Sequence, residues 1–240
     1  MNIFRSYKFN GSFNTLIRLE KIMDSKTLVK IIKILKTEIK QWDVPVVTLI
    51  AETHKDAFSV LISTVLSLRT KDEVTLKGFK NLFAKANTPR KILKLKESEI
   101  AKLIYPVGFY KTKAKNIKKI SKILIEEYKG KVPDTMEELL ELPNVGRKTA
   151  NLVLMEGFGK LGVCIDVHNW RILNRFGYLK AKTPDETEML VRKKLNHKYW
   201  AELNHLLVAH GQHICRPVSP FCSKCPIEKY CEKIDVMQSR

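Results

Sequence analysis

The segment from Asp134 to Gly159, DTMEELLELPNVGRKTANLVLMEGFG, has the clearest structural pattern in the 240-residue chain. Asp134 followed by Glu137 is typical of the start of a helix, and Pro143 interrupts the helical pattern that follows. The pattern resumes over residues 147–158, with apolar side chains along one side. The segment therefore predicts two helices joined by a tight turn.

The turn contains Asn144 and Gly146, the two residue types that adopt left-handed backbone conformations most readily. A turn of this kind can point consecutive backbone N–H groups outward at the start of the second helix. Such donors bind a phosphate without distinguishing bases. From LPNVG alone, an anion site and an ordinary corner between helices are almost equally good interpretations.

Most of the remaining chain also has helical periodicity, and no segment shows convincing strand alternation. The run Val46–Ala51 has strand-like residue types, but a lone strand has no partner, so we expect a loop or the start of a helix. Apolar residues recur at helical spacings in the segments 28–39, 58–68, 114–125 and 203–209. The sequence therefore predicts an all-α protein.

The chain is strongly cationic, with 44 Lys and Arg against 25 Asp and Glu and a formal net charge of +19. This charge favours a polyanion partner, because each phosphate that a lysine or arginine neutralises releases condensed counterions. The segment 111–122 holds six lysines and no acid. We interpret it as a phosphate-contacting face in preference to a merely solvated helix face.

Composition argues against two other classes of protein. The longest apolar stretch without charge, residues 58–68, is far shorter than the roughly 20 residues that cross a bilayer, so we expect no membrane association. The N-terminal residues carry early charges and lack the apolar core of a secretory signal. We therefore expect a cytoplasmic protein, with enough apolar residues for a sizeable core.

Four of the five cysteines lie close together near the C-terminus, in CRPVSPFCSKCPIEKYC. Their spacing, C-x6-C-x2-C-x5-C, indicates a metal site in a reducing compartment. A structural zinc site commonly pairs two C-x2-C units, so a cubane cluster fits better, with zinc and a disulfide pair as weaker alternatives. The candidate ligands are Cys215, Cys222, Cys225 and Cys231, whereas Cys164 stands apart as a small buried hydrophobe.

Several of these motifs resemble the endonuclease III family of DNA glycosylases. LPNVGRKTA (142–150) resembles the family's helix-hairpin-helix signature LPGVGRKTA, with Asn144 in place of glycine. IDVH (165–168) resembles its VDTH segment, and the cysteine spacing resembles its [4Fe-4S] loop. LSLRTKD (66–72) and GFYKTKA (108–114) resemble LSxQTxD and GLYNSKA, with departures at Arg69 and Phe109.

The resemblance implies catalytic roles for two residues. Lys148 would be the nucleophile, because an amine attacks carbon in its neutral form, which a position at a helix N-terminus favours. Asp166 would assist that activation and stabilise positive charge developing on the sugar. Without the resemblance, Lys148 is one solvated lysine among many and Asp166 is a simple helix cap. His168 is expected to be structural.

The resemblance also implies how DNA is bound. Arg69 would hydrogen-bond the base left without a partner and Phe109 would insert into the base stack, with a surface charge and a core aromatic residue as the plain alternatives. The implied partner is double-stranded DNA with damaged pyrimidines or abasic sites, bound by a monomer. The hairpin residues that would bind a phosphate are Asn144, Val145, Gly146 and Arg147.

The implied fold is all-α and two-lobed. Residues 48–160 would form a six-helix domain with the hairpin at about 134–158. Residues 23–47 and 161–240 would form the lobe that holds one [4Fe-4S] cluster. Residues 1–22 lack a helical stripe and are expected to be a loose N-terminal extension. DNA would lie across the cleft between the lobes.

The implied function is that of a bifunctional DNA glycosylase and AP lyase of base excision repair. Such a protein removes oxidised pyrimidines and cleaves 3′ to the abasic site by β-elimination through a lysine Schiff base, and we expect it at the nucleoid. Two alternatives stay open. One is a monofunctional mismatch-specific glycosylase, which activates water and needs no lysine, and the other is a non-catalytic helix-hairpin-helix DNA-binding module.

Overall fold

A computed structural model of the chain describes residues 23–38 and 45–240. Within these ranges it contains twelve α-helices and no strand, which confirms the all-α prediction, and none of these helices has the length and apolarity to cross a bilayer. The predicted extension, residues 1–22, lies outside the described residues. The helices are α1 (Ser25–Glu38), α2 (Val46–His54), α3 (Ala57–Ser67), α4 (Asp72–Lys85), α5 (Pro89–Lys94), α6 (Glu97–Ile104), α7 (Tyr110–Glu126), α8 (Met136–Glu141), α9 (Arg147–Leu152), α10 (Val167–Arg175), α11 (Pro184–Lys194) and α12 (Trp200–His213).

The buried apolar side chains form two clusters. The first cluster contains residues of all the helices from α2 through α9. Helix α3 lies at its centre, and every residue from Phe58 to Leu66 is buried. Its buried polar residues, Ser59, Ser63 and Thr64, bond their hydroxyls to backbone carbonyls of the same turn, so the helix can be enclosed on all sides. The second cluster joins α1 to α10, α11, α12 and the cysteine-rich segment. Helix α1 therefore packs against the C-terminal part of the chain.

The run Val46–Ala51, for which we expected a loop or the start of a helix, opens α2 directly after Pro45. Val46, Val47 and Ile50 lie on the buried side of α2 and pack into the first cluster. Strand-like residue types are accommodated here because the helix surface they cover is apolar, so tertiary packing outweighs local propensity.

The lysine-rich segment forms α7, and its lysines do not share one face. Lys113 is 3% exposed and lies on the same helical stripe as Ile117, Ile120 and Leu124. The prediction that this whole segment contacts phosphate is therefore wrong for Lys113. The helical period explains the difference, because a charge spaced like the apolar residues faces the core. The exposed lysines are Lys111, Lys115, Lys119 and Lys122.

The predicted hairpin is present as α8, a turn and α9. Asn144 has a φ of 65°, the left-handed conformation predicted for the turn. The start of α8 differs from the prediction, because Thr135 and not Asp134 is the cap, with Thr135 Oγ1 accepting from Glu138 N over 3.4 Å. Asp134 Oδ2 instead pairs with Lys160 Nζ at 2.7 Å, since the chain returns past the hairpin and supplies a cation there.

The second hairpin helix covers the predicted span of 147–158, but it is not a regular α-helix throughout. Helix α9 ends at Leu152 and continues as a π-turn, Val153–Gly157. A Cβ on Gly157 would lie 3.1 Å from Ala57 Cα, at the start of α3. The wider turn therefore seats the end of the hairpin closely against the central helix.

Candidate active site

The hairpin and α10 bring the side chains of Lys148 and Asp166 into contact. Lys148 is the second residue of α9, and its Nζ donates a hydrogen bond to Asp166 Oδ2 over 3.2 Å. The lysine side chain is 43% exposed and the aspartate side chain 11%. An amine that reaches solvent beside a shielded carboxylate can attack an electrophile and pass a proton to its neighbour.

The carboxylate of Asp166 is held in place by its own helix. Its Oδ1 accepts hydrogen bonds from the backbone N–H groups of His168 and Asn169, at 2.8 and 3.1 Å. Asn169 Oδ1 accepts in return from the Asp166 N–H at 3.2 Å, which completes a capping box. The cap uses one carboxylate oxygen and Lys148 uses the other, so the two interpretations of Asp166 are compatible.

Two neighbours of this pair are neutral packing residues. Cys164 is 1% exposed, its Sγ lies 3.8 Å from Lys148 O, and burial raises its pKa to about 12. Burial also lowers the pKa of His168, whose Nδ1 lies 3.1 Å from Arg171 Nη2. A neutral imidazole beside a guanidinium accepts a hydrogen bond from it, which fits a structural role for His168.

The backbone of the hairpin turn faces open space at Gly146. Val145 is 6% exposed and packs inward, with its N–H bonded to Leu142 O at 3.1 Å. Among the described residues, apart from Gly146 and its two chain neighbours, no atom lies within 4 Å of the place that a Cβ on Gly146 would occupy. A ligand can therefore approach the backbone where α9 begins, and the first N–H groups of a helix lack intrahelical acceptors.

The side chain of Arg147 does not belong to this free surface. Its Nε and Nη2 donate to Oε2 and Oε1 of Glu188, at 3.0 and 2.8 Å. Glu188 lies on α11, is 2% exposed and also accepts from Arg192 Nε at 3.0 Å. At Arg147 the hairpin thus presents backbone rather than a free guanidinium.

Glu188 is a residue of this site that the sequence did not single out. Burial opposes its ionisation, but hydrogen bonds from Arg147 and Arg192 outweigh burial and lower the pKa of Glu188. The charged carboxylate ties α9 of the first cluster to α11 of the second, next to Lys148. In the sequence it is an ordinary acid in the first half of a helix, where acids are common, so no signal marks it.

The segments around Arg69 and Phe109 lie against each other. Both residues have left-handed backbones, with φ of 52° and 56°. The guanidinium carbon of Arg69 lies 5.7 Å from the ring centroid of Phe109, and Phe109 is 63% exposed. The core interpretation of Phe109 is therefore wrong, and the two side chains form one exposed surface.

The four C-terminal cysteines line one cavity, together with Arg175 and His210. Arg175 Nη1 donates to Cys215 Sγ over 3.5 Å, and the backbone N–H of Lys233 donates to Cys231 Sγ over 3.4 Å. Donors of this kind orient sulfur ligands and stabilise their thiolate form.

Burial opposes ionisation of two cysteines in this cavity. Burial raises the pKa of Cys225 to about 12 and that of Cys231 to about 11, so thiolates here need compensating positive charge. His210 does not supply it, because burial, together with Arg171, lowers its pKa to about 4. In the described part of the chain, no three His, Cys, Asp or Glu side chains converge as ligands of one ion do.

Comparison with known proteins identifies the family. Residues 62–197 match the family model described as HhH-GPD superfamily base excision DNA repair protein. Endonuclease III of Thermotoga maritima is 48% identical over 181 residues, which cover 75% of this chain and 85% of that protein.

Solved structures agree with this relationship. The fold matches a non-covalent endonuclease III–DNA complex with a TM-score of 0.79 at 30% identity, over 88% of this chain and 97% of that chain. A trapped endonuclease III–DNA covalent intermediate, the estranged-adenine complex, gives a TM-score of 0.78 at 28% identity over the same shares, 88% and 97%. Sequence and fold thus agree over most of both chains, and the protein belongs to the endonuclease III family of the HhH-GPD superfamily.

Proposed function

We propose that this protein is a DNA glycosylase and AP lyase of base excision repair that removes oxidised pyrimidines from duplex DNA. The observation that carries the proposal is the contact of Lys148 Nζ with Asp166 Oδ2, 3.2 Å apart, beside a hairpin turn that is open to a ligand. A glycosylase that activates water has no use for an amine at this position. The activity named for the relatives, and their complexes with DNA, support the same conclusion.

In the first step Lys148 acts as the nucleophile. Asp166 Oδ2 takes a proton from the ammonium, the neutral amine attacks the sugar C1′, and the bond from C1′ to the base breaks. The base leaves with the bonding electron pair. Opening of the sugar ring then gives a Schiff base between Nζ and C1′, and the carboxylate offsets the positive charge that develops on the sugar.

In the second step the Schiff base makes the C2′ protons acidic. Loss of one of them expels the 3′ phosphate by β-elimination, which breaks the strand on the 3′ side of the abasic site. Water then hydrolyses the Schiff base and restores the amine of Lys148. Asp166, fixed by its capping box, stays within reach of Nζ throughout.

The remaining predicted site residues bind the DNA around this chemistry. The backbone at Gly146, next to the left-handed Asn144, holds a phosphate, and Arg147 contributes its N–H. The prediction that Val145 also binds this phosphate is wrong, because its N–H is already bonded to Leu142 O. Arg69 and Phe109 occupy the opened duplex after the damaged nucleotide is extruded. The protein works as a monomer on duplex DNA, and the expected setting is the nucleoid in the cytoplasm.

We further propose a two-lobed division, which the two clusters of buried side chains support. Two details of the predicted division change. The first domain holds the eight helices α2 to α9 and not six, and it includes Val46 and Val47, which pack in the first cluster, so the boundary lies before Val46 and not after residue 47. Cys215, Cys222, Cys225 and Cys231 would hold one [4Fe-4S] cluster, which would cross-link the segment 215–231. Arg175 and Lys233 orient two of these sulfurs.

Borohydride trapping on duplex DNA with an abasic site or thymine glycol tests the proposal. Lys148→Gln removes the amine, and Lys160→Gln is a matched control, because Lys160 is also paired with an aspartate and has a similarly exposed side chain, 44%. We expect a covalent complex with the native protein and with Lys160→Gln, and none with Lys148→Gln. Asp166→Asn keeps the helix cap and should slow base release.

Other outcomes would replace the proposal. Base release without any trapped complex would make the protein a monofunctional glycosylase. Binding of the duplex with neither base release nor strand cleavage would make it a helix-hairpin-helix binding module. Trapping that survives in Lys148→Gln would move the nucleophile to another lysine.

A further inference from the structure

Lys113 is a buried cation with an unusual set of partners. It lies on α7, is 3% exposed, and its Nζ donates to Leu66 O at 2.8 Å, Leu68 O at 2.5 Å and Thr70 Oγ1 at 3.0 Å. An ammonium group has three N–H donors, so these three oxygens use all of them. All three belong to the segment 66–72, which we call the Arg69 loop.

The same threonine reaches the neighbouring segment 108–112, which we call the Phe109 loop. Thr70 Oγ1 also accepts a hydrogen bond from the backbone N–H of Gly108 at 3.1 Å. A Cβ on Gly108 would lie 2.6 Å from Arg69 O, so the two backbones approach to a distance that only glycine permits. One hydroxyl therefore joins Lys113 to both loops.

The acceptors around Lys113 are neutral, which is an unfavourable way to bury a charge. Burial lowers the pKa of Lys113 to about 8, and no carboxylate in the described part of the chain offsets this effect. An apolar side chain of similar length would fill the same space without this desolvation penalty. The contacts of the ammonium with the loops are what distinguish lysine from such a residue.

We infer that Lys113 is a positioning residue that fixes the Arg69 loop and the Phe109 loop as one unit for opening the duplex. The inference rests on the proposed function. With both backbones held, Arg69 and Phe109 keep their left-handed conformations and their mutual contact before DNA arrives. The conformational entropy of the two loops is then lost during folding and not during base extrusion. Lys113 acts through these two side chains and has no contact with DNA.

Three variants separate this role from general stability. Lys113→Met removes the three hydrogen bonds and keeps the volume, while Thr70→Val keeps the lysine and breaks the link between the loops. Lys118→Met is the matched control, because Lys118 also lies on α7 and donates to a backbone carbonyl, Leu95 O at 2.6 Å, away from both loops.

Hydrogen–deuterium exchange on the free protein measures directly whether the Arg69 loop and the Phe109 loop are fixed, because the Gly108 amide itself donates a hydrogen bond to Thr70. We expect Lys113→Met and Thr70→Val to raise exchange in residues 68–71 and 108–110 by about tenfold, with α3 unchanged. Lys118→Met should leave both loops at native rates. Equal exchange in all three variants, or faster exchange spread through α3, would overturn the inference.

Single-turnover kinetics read the functional consequence. A paired damaged base must be extruded, whereas an abasic site has no base to extrude. Lys113→Met and Thr70→Val should therefore slow base release by about tenfold while cleavage at a preformed abasic site stays within about threefold of native. Equal losses on both substrates would reduce Lys113 to a structural residue. A native protein inactive on both substrates would defeat the proposed function, and the exchange data would still decide whether Lys113 fixes the loops.

Discussion

Glu188→Gln should destabilise the fold far more than a surface substitution of the same kind. The Glu188 carboxylate accepts three charge-assisted hydrogen bonds, two from Arg147 and one from Arg192, and its side chain is 3% exposed. Glutamine keeps the volume, so no cavity forms. It removes the negative charge and turns an amide N–H2 group towards a guanidinium, which leaves two cations facing each other without a counter-ion.

The size of the effect follows from burial. Removing one partner from a buried ion pair costs about 3–5 kcal/mol, because the other charge is left uncompensated. The side chains of Arg147 and Arg192 are 37% and 33% exposed, so water partly resolvates them and the lower end applies. We expect a loss of about 3 kcal/mol. At this chain length each kcal/mol shifts the melting temperature by about 2–4 °C, which gives a fall of about 10 °C.

Thermal unfolding followed by circular dichroism measures this shift. Glu202→Gln is the matched control, because Glu202 pairs with Lys36 at 2.7 Å but the side chains are 39% and 62% exposed. An exposed pair contributes at most about 1 kcal/mol, so the control should lower the melting temperature by no more than about 4 °C.

The coupling between partners gives a second check. Arg147→Met should cost less in the Glu188→Gln background than in the native protein, because its partner is already gone. Two results would contradict this account of Arg147. One is a melting temperature of Glu188→Gln within 3 °C of that of the Glu202→Gln control, and the other is simple addition of the losses caused by Arg147→Met and Glu188→Gln. Either result would mean that Glu188 does not tie α9 to α11.

Three further predictions concern the turn, the buried lysine and the cysteine cavity. Asn144 has a φ of 65°, so Asn144→Val should cost about 1–2 kcal/mol and weaken DNA binding in a salt titration, while Asn144→Gly should leave both unchanged; equal effects would refute this. The pKa of Lys113 falls from 10.5 to about 8, so between these values the native state holds fewer protons than the unfolded state. From pH 7.5 to pH 10, the free energy of unfolding of the native protein should therefore rise by about 2–3 kcal/mol relative to that of Lys113→Met, as measured by denaturation at both pH values. A fall in this difference would contradict the prediction. Arg175 donates to Arg216 O and Pro217 O, each at 2.7 Å, so Arg175→Met should lower the iron content and visible absorption of the purified protein, whereas unchanged iron would detach Arg175 from the cysteine loop.

Much of the fold and the proposed site was open to prediction because its signals are local in the chain. The hairpin lies within 26 residues, and its turn chemistry is decided by Asn144 and the backbone it permits. Helical periodicity predicted the all-α class for the same reason. Where local signals competed, the prediction failed. Asp134 and Thr135 are both good caps, and only the return of Lys160 past the hairpin decides between them.

The supporting contacts were beyond prediction because they join distant parts of the chain. Arg147 and Glu188 are 41 residues apart, and Lys113 lies 47 residues from Leu66, whose carbonyl it contacts. Taken alone, the side chains of Arg147, Glu188 and Lys113 would each be interpreted as surface charges. The helical stripe shared by Lys113 and Ile117 indicates burial, but it does not show which oxygen atoms accept the hydrogen bonds of the buried lysine.

Substitutions in local motifs should act differently from substitutions of residues such as Glu188 and Lys113, which we call supports because they hold distant parts of the chain together. A change at Lys148 or Asp166 alters a motif and should remove a chemical step while leaving the fold intact, since the Lys148 side chain is 43% exposed and asparagine at 166 still caps α10. A change at Glu188 or Lys113 alters no motif, yet it releases the helix or the loops that carry the working side chains. A judgement based on sequence motifs alone would treat substitutions at these two positions as changes of surface charge without effect on function. Loss of function with a lowered melting temperature or loosened loops is therefore the signature that separates a support from a catalytic residue.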